Sequence, residues 1–205
     1  MADRQFAIYS VDDESLNFYR YGRIPVVGTE FAGKHVTKVF ENFNDHCWTI
    51  DAIADRVTRV SVADGGIKPR KICHWFNRFE NLRAADLEKL DTTYTTAAQG
   101  LFESCGNLEH VRMPRFGMPL VADASRMFYG CKSLEWLCMD SFDLYSAVDL
   151  HEMFCGCERL RKIGAETWNV SRAVDLNRMF YGCMNLSEDL SSWTLENWRE
   201  NARFN

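Results

Sequence analysis

The sequence predicts an α/β repeat protein, in which a solenoid of about five 26-residue units follows an N-terminal β cap. Five phenylalanines recur at this spacing, the residues around them recur as well, and the first third of the chain lacks the pattern. A period of 20 to 50 residues is typical of stacked units, each of which buries its apolar face only against its neighbours. The phenylalanines are Phe76, Phe102, Phe128, Phe154 and Phe180.

Residues 1–66 are predicted to form the β cap. Residues 6–10 and 16–21 are typical of two strands joined by the acidic turn between them, and residues 36–40 and 57–62 are further strand candidates. A stack of repeats needs its open ends covered, because an exposed terminal strand invites pairing with other chains.

The repeated units occupy residues 67–198, and residues 199–205 form a C-terminal tail. The units follow the pattern Leu-x-x-Leu-x-Leu with substitutions, closely at Leu134, Leu137 and Met139 and loosely in the first and last units. The alternation at the end of the pattern predicts a short strand with one face inward. The residues before each Gly-Cys pair, such as Met-Phe-Tyr-Gly-Cys at 127–131, bring apolar side chains together as on one face of a helix. We therefore expect one strand and one short helix in every unit.

Two recurring polar positions accompany the predicted helix. Aspartates occur at one position of three successive units: Asp123, Asp149 and Asp175. Aspartate is favoured as a helix N-cap, so we interpret these residues as caps, with a calcium site as the alternative. Three residues further on, the column reads Arg126, Glu152 and Arg178, which indicates a ladder of surface ion pairs.

The eight cysteines are interpreted as free thiols. One cysteine recurs at the same position of four units: Cys105, Cys131, Cys157 and Cys183. A column of this kind is typical of small buried residues, and a repeating backbone does not favour bridges between them. The group His151, Cys155 and Cys157 is a possible metal cluster, but its spacing matches no usual zinc pattern. We expect no metal site.

The strand pattern, the Met-Phe-Tyr-Gly-Cys segment and the period together resemble the BspA-like leucine-rich repeats of bacterial surface proteins. The resemblance covers roughly residues 67–198, and residues 6–19 are similar to the leader that often precedes such repeats. It implies a right-handed, leucine-rich-repeat-like solenoid, with short parallel strands on one side and short helices or turns on the other. Members of that family are commonly cell-surface or secreted binding proteins, and the motif brings no catalytic residues with it.

Composition excludes several classes of function. The net charge of −5 argues against a general nucleic-acid binder, which usually carries a basic surface. No run of about 18 apolar residues exists, so we expect no membrane insertion. Residues 1–5 carry no export signal, which predicts a cytoplasmic protein, whereas the family resemblance favours the cell surface. The localisation stays open between the two.

Catalytic motifs are absent from the sequence. It has no phosphate-binding glycine loop, no Gly-x-Ser-x-Gly and no His-Glu-x-x-His. The five histidines are scattered, and their spacing indicates no pairing of a base with a nucleophile. We expect a protein that is not an enzyme and that binds no cofactor.

The positions that vary from unit to unit are the candidate binding residues. In the Leu-x-x-Leu-x-Leu strand the intervening side chains face outward, and the columns they form change residue at every step. Trp136, between His110 and Lys162, resembles an anchor for a partner. The alternative is that a terminal segment covers it. The predicted partner-binding residues are Glu109, His110, Arg112, Glu135, Trp136, Arg161 and Lys162.

These columns favour a non-catalytic protein–protein interaction module as the function. We expect the partner to be another protein, with a surface glycan as the alternative ligand. Two other functions remain open. One is an intracellular inhibitor of a host system, encoded by a phage or mobile element, which the missing export signal and the free cysteines motivate. The other is a fragment of a cell-surface adhesin.

Overall fold

The structure, a computed structural model, describes residues 3–41, 43, 53–114, 117–137, 139, 142, 144–191 and 193. Within them the chain forms eight short β-strands and one 3-10 helix. The strands are β1 (Arg4–Ser10), β2 (Ser15–Tyr21), β3 (Glu30–Phe31), β4 (Lys34–His35), β5 (Lys38–Glu41), β6 (Arg59–Val62), β7 (Ala84–Asp86) and β8 (His110–Arg112), and the 3-10 helix is Ala165–Thr167. The predicted tail at 199–205 lies outside the described residues.

Six of the strands form one mixed sheet, in the order β5-β1-β2-β6-β7-β8. Strand β1 pairs antiparallel with β2 and β5, whereas β2, β6, β7 and β8 run parallel to one another. The predicted hairpin is therefore present as β1 and β2, and the strand predicted at 57–62 is β6. Because β6 pairs with β7, the N-terminal strands and the first units share a single sheet.

The repeating phenylalanines form one continuous stack in the core. From Phe76 to Phe180, successive ring centroids lie 5.2, 5.5, 5.4 and 5.7 Å apart, and all five side chains are fully buried. Beyond β8 the pairing between units is reduced to single parallel bridges, such as Asp149 with Asp175. Adjacent units thus stack in register, at the period that the sequence shows.

The predicted α/β solenoid is wrong. The described residues contain no α-helix. Their 3-10 helix is not long and apolar enough to cross a membrane. The structure is nearly all β, with a mixed sheet of six strands. In the segment predicted as a helix, Arg126 and Gly130 have φ of 55° and 70°, outside the right-handed region that an α-helix requires.

Hydrogen bonding in the same segment shows what replaces the helix. The amide of Phe128 donates to the carbonyl of Met153 in the next unit, at 2.8 Å, rather than to its own preceding turn. The amides of Arg126 and Gly130 donate in the same way, to His151 and Cys155. Bonds between units take the place of bonds along a helix, so the right-handed, leucine-rich-repeat-like solenoid with helices on one side is not found.

The recurring aspartates cap turns instead of helices. Asp123 Oδ1 accepts hydrogen bonds from the backbone amide of Ser125 at 3.0 Å and from its hydroxyl at 2.6 Å. Asp149 and Asp175 accept from the amide two residues further on, at 3.0 and 2.8 Å. This is the bond that Asp forms with its own backbone in a turn. The sequence therefore identifies the capping residues but not the element that they cap.

The predicted ladder of charges is present on the surface of the turns. Arg126 lies 2.9 Å from Glu103 and 3.4 Å from Glu152, and Arg178 lies 3.8 Å from Glu152. Neighbouring units are thus joined by alternating charges in addition to the backbone bonds.

The recurring cysteines are free and buried, as expected. Each thiol donates to the carbonyl of a stacked phenylalanine 29 residues earlier, at 2.9 to 3.2 Å. Burial raises the pKa of the thiols of Cys105 and Cys131. A buried thiol with a raised pKa is a poor nucleophile and a poor metal ligand, so this column belongs to the core.

A second, smaller apolar cluster lies on the other face of β1 and β2. Phe6, Ile8 and Tyr19 pack there against Val36 and Phe31, whereas their neighbours in sequence point into the main core. The segment that contains β3 and β4 thus covers one end of the outward face of the sheet. It leaves the outward face of β6, β7 and β8 open beside it.

Candidate partner-binding face

The outward side chains of the parallel strands form one row across the sheet and the units that follow. Pairing aligns β2, β6, β7 and β8, and single bridges extend the alignment by two more units. Val60 and Ala85 point into the core, so the residues beside them face outward. What we call the outer row consists of Ser15, Arg59, Ala84, His110, Trp136 and Lys162.

Two flanking rows lie beside the outer row. One contains Asn17, Ser61, Asp86 and Arg112, which the same strand pairs align. The other contains Arg83, Glu109, Glu135 and Arg161, each of which directly precedes an outer-row residue. All seven predicted binding residues fall within these three rows and come from three units, and Arg161 lines one depression with Trp136 and Lys162.

Trp136 is the most prominent apolar side chain of this face. It is 58% exposed, so no described segment covers it. Of the other six predicted residues, Glu135 is half-buried and the rest are exposed. Sequence reasoning therefore placed these residues on an accessible surface.

A depression beside Trp136 carries excess positive charge. It has a volume of about 500 Å³ and is lined by Trp136, Arg161, Lys162, Asn185 and Ser187. Lys162 lies 3.8 Å from Glu166, whereas Arg161 has no ion pair among the described residues. We call this depression the Trp136 pocket. Its two cations and its indole are suited to an anionic group attached to an apolar one.

The second depression, of about 380 Å³, lies where the N-terminal strands meet the first units. Ala84 is small and stands in the outer row between Arg59 and His110, so the row has a notch there. We call it the junction pocket. Its lining consists of Asp13, Ser15, Asn17, Lys34, Arg59, Val60, Ser61, Ala84, Ala85, Asp86, His110 and Arg112.

Buried polar side chains form the floor of the junction pocket. The side chain of Asn17 donates from Nδ2 to the Ser15 hydroxyl at 2.7 Å, and its Oδ1 accepts from the Ser61 hydroxyl at 2.7 Å. The Ser15 hydroxyl donates to Asp13, which also accepts from Lys34. Burial would raise the pKa of Asp13, but the bonds from Lys34 and Ser15 outweigh it and lower that pKa. Asp13 is therefore held as a carboxylate.

Sequence reasoning missed the junction pocket. Half of it comes from the N-terminal segment, whose register against the units is set by the pairing of β2 with β6 and of β6 with β7. The one signal in the sequence was Ala84, the smallest residue of an otherwise bulky column.

The carboxylate of Glu188 lies next to Lys162 in the direction of the outer row. Glu188, one unit after Lys162, accepts hydrogen bonds from the amides of Ile163, Gly164 and Ala165, at 2.6, 3.1 and 3.1 Å. Burial and the neighbouring Glu166 raise the pKa of Glu188. This side chain satisfies amides that a further strand would otherwise bond.

One group of possible metal ligands occurs in the described part of the chain. Donor atoms of Asp149, His151 and Asp175 lie within 4.8 Å of one another. The Asp149 carboxylate already accepts from the His151 amide at 3.0 Å and lies 2.8 Å from the His151 ring. Turn capping explains this arrangement. The alternative cluster of His151 with two cysteines does not form, since the thiol of Cys157 is buried and bonds to Phe128.

A family model matches the repeated part of the chain. It is described as "Mycoplasma protein of unknown function, DUF285" and matches residues 70–162 and 96–204. The matches begin one unit apart and together run from residue 70 to residue 204, so the chain belongs to this family. No curated protein and no solved structure matches the chain. The description names no function, so the binding role and the resemblance to BspA-like repeats stay predictions.

Proposed function

We propose that the protein is a non-catalytic binding module that holds another protein on the outer row and its two flanking rows. The observation that carries the proposal is the exposed Trp136, aligned between His110 and Lys162. Tryptophan and arginine dominate binding energy at protein interfaces, and both occur here beside a pocket.

The contrast between the two sides of each unit supports this proposal. On the inner side, phenylalanine follows phenylalanine at nearly constant spacing. On the outer side, the same step leads from Ala84 to His110, then to Trp136 and Lys162. A surface needed only for stacking would not require a different side chain at each step, whereas a surface that recognises one partner would.

Site-specific photo-crosslinking tests the proposal. A photoreactive amino acid is placed at Ser187, an exposed residue that lines the Trp136 pocket, so that the indole itself is kept. As a matched control it is placed at Val174, which is 84% exposed and lines neither pocket. In lysate of the source cells, we expect one protein to crosslink at position 187 and not at 174. No crosslinked protein at 187, or the same set of proteins at both positions, would contradict the proposed function.

A further inference from the structure

One cation of the Trp136 pocket forms no ion pair with any residue that the structure describes, and this cation is Arg161. Arg161 lies beside Glu135 of the preceding unit, because its amide donates to the Glu135 carbonyl at 3.0 Å. The Glu135 carboxylate, however, is engaged by Arg159. None of the residues that line the pocket is acidic. The exposed Arg161 guanidinium is therefore available to a carboxylate from a partner, which it can bind through two parallel hydrogen bonds.

The other charges around the pocket favour one carboxylate over a group with several negative charges. Lys162 lies 3.8 Å from Glu166, so its charge is already partly balanced. Glu188 lies one unit after Lys162, on the same side of it. A phosphate or a sulfated glycan at Arg161 would be repelled by both of these carboxylates. A single carboxylate meets less of this repulsion.

Trp136 supplies an apolar surface at one side of the pocket. Its exposed indole belongs to the outer row, and a parallel bridge joins Trp136 to Lys162, so one strand step of about 4.8 Å separates the two residues. Ser187 lies one step further on, since its amide donates to the Arg161 carbonyl at 3.0 Å. A group bound between Lys162 and Ser187 thus lies roughly 5–10 Å from Trp136.

This distance determines the spacing of the side chains that an extended segment can place here. In an extended chain, side chains two residues apart point to the same side and lie about 6.6 Å apart. Adjacent side chains point to opposite sides, and side chains four residues apart lie about 13 Å apart, which exceeds the pocket. Side chains two residues apart therefore fit a carboxylate at Arg161 together with an apolar group on Trp136.

We infer that the partner presents an extended segment in which an acidic and an apolar side chain are two residues apart, with the carboxylate on Arg161 and the apolar side chain on Trp136. This inference rests on the binding function proposed above and specifies its ligand. The acidic residue comes first in one chain direction and second in the other, so both orders fit the pocket.

Four short peptides test the charge and the spacing. Two of them carry the acid and a ring two residues apart, in either order: acetyl-Gly-Asp-Thr-Phe-Gly-amide and acetyl-Gly-Phe-Thr-Asp-Gly-amide. The third places the acid and the ring of the tighter of these two next to each other, and the fourth replaces its acid by asparagine. Titration into isotope-labelled full-length chain, followed by the indole resonances, measures the dissociation constants.

We expect the tighter of the first two peptides to bind at millimolar concentration, and at least about tenfold more tightly than the third and the fourth. The fourth peptide lacks the charge that Arg161 binds. In the third, the acid points away from the pocket when the ring lies on Trp136. Both therefore lose the same charge-assisted hydrogen bonds.

A change in the protein tests the anchor itself. Arg161→Gln removes the charge and should weaken the tighter peptide by at least about tenfold. The matched control is Arg172→Gln, which removes an exposed arginine that lines neither pocket and should leave the affinity unchanged. The indole resonances of the buried tryptophans show whether each variant is folded.

Several results would overturn the inference. They are the absence of binding by both of the first two peptides, equal affinity for the third or the fourth peptide, and unchanged affinity in folded Arg161→Gln. Tighter binding of inorganic phosphate, or of the asparagine peptide with a free C-terminal carboxylate, would overturn it as well.

The outcomes separate this inference from the function beneath it. A protein crosslinked at position 187 whose contact segment lacks the spacing would overturn the inference and leave the binding function intact. Failure of the crosslinking itself would overturn the binding function.

Discussion

Replacing Phe128 by alanine should destabilise the protein more than any surface change in the same turn. Its ring is fully buried and stacks on Phe102 and Phe154, with centroids 5.5 and 5.4 Å apart. Truncating a buried phenylalanine costs about 3–5 kcal/mol, because the lost contacts leave a cavity. The neighbouring units are held by backbone bonds and cannot collapse into this cavity.

Thermal denaturation measures the effect of Phe128→Ala. For a chain of this length, about 4 kcal/mol corresponds to a fall in Tm of about 8–16 °C. The matched control is Tyr129→Ala, which removes a half-buried ring that the Arg126 guanidinium covers at 4.3 Å. That contact is worth about 0.5–1 kcal/mol. If both variants melted within a few degrees of the parent protein, the continuous phenylalanine stack would not be what holds the units together.

Three further predictions concern polar and backbone features. Asp13→Asn should lower stability by roughly 1 kcal/mol near neutral pH. The pKa of Asp13 is lowered from 3.8 in the folded protein, so its stabilising contribution is complete above about 3.8 and is lost progressively below it. The difference in stability between Asp13→Asn and the parent protein should therefore vanish as the pH falls below that value. Glu188→Ala should lose about 2 kcal/mol in chemical denaturation, since three amides lose their acceptor, whereas Glu188→Gln keeps an acceptor oxygen and should lose less than half of that. Gly156→Ala should lower stability by about 1–2 kcal/mol, because φ at this position is 75° and alanine is strained there. Gly106→Ala should leave stability unchanged, because Gly106 has a negative φ and open space around it. Equal melting of the two variants would contradict the left-handed turn.

The repeat and its buried side were predictable from the sequence because they depend on spacing alone. A residue that returns at a fixed interval must occupy an equivalent place, so Phe128 and Cys131 could be assigned to the core. The hairpin of β1 and β2 was predictable for a similar local reason, since two apolar runs flank an acidic turn.

The helices were predicted wrongly because the segment contains residues with positive φ whose residue type does not indicate such an angle. Gly130 signals a left-handed residue, but Arg126 and Glu152 do not, although they have φ of 55° and 52°. Such residues persist where surrounding bonds impose the conformation. Here the bonds run to the next unit, and no local pattern in the sequence reveals bonds between units.

The candidate site was predicted in part. The outward columns follow from alternation, which made His110, Trp136 and Lys162 candidates. The junction pocket could not be predicted, because it needs the register of Ser15 and Arg59 against Ala84, which only the assembled sheet defines.

The most direct measurement of the central claim is the affinity of the double variant Trp136→Ala with Lys162→Glu for the protein crosslinked at position 187. Both side chains are exposed and lie outside the phenylalanine stack, so Tm should stay within a few degrees of the parent value. Removing an interface tryptophan typically costs 2 kcal/mol or more, so binding should weaken by at least about thirtyfold. Unchanged affinity in a folded double variant would contradict the assignment of partner binding to this face.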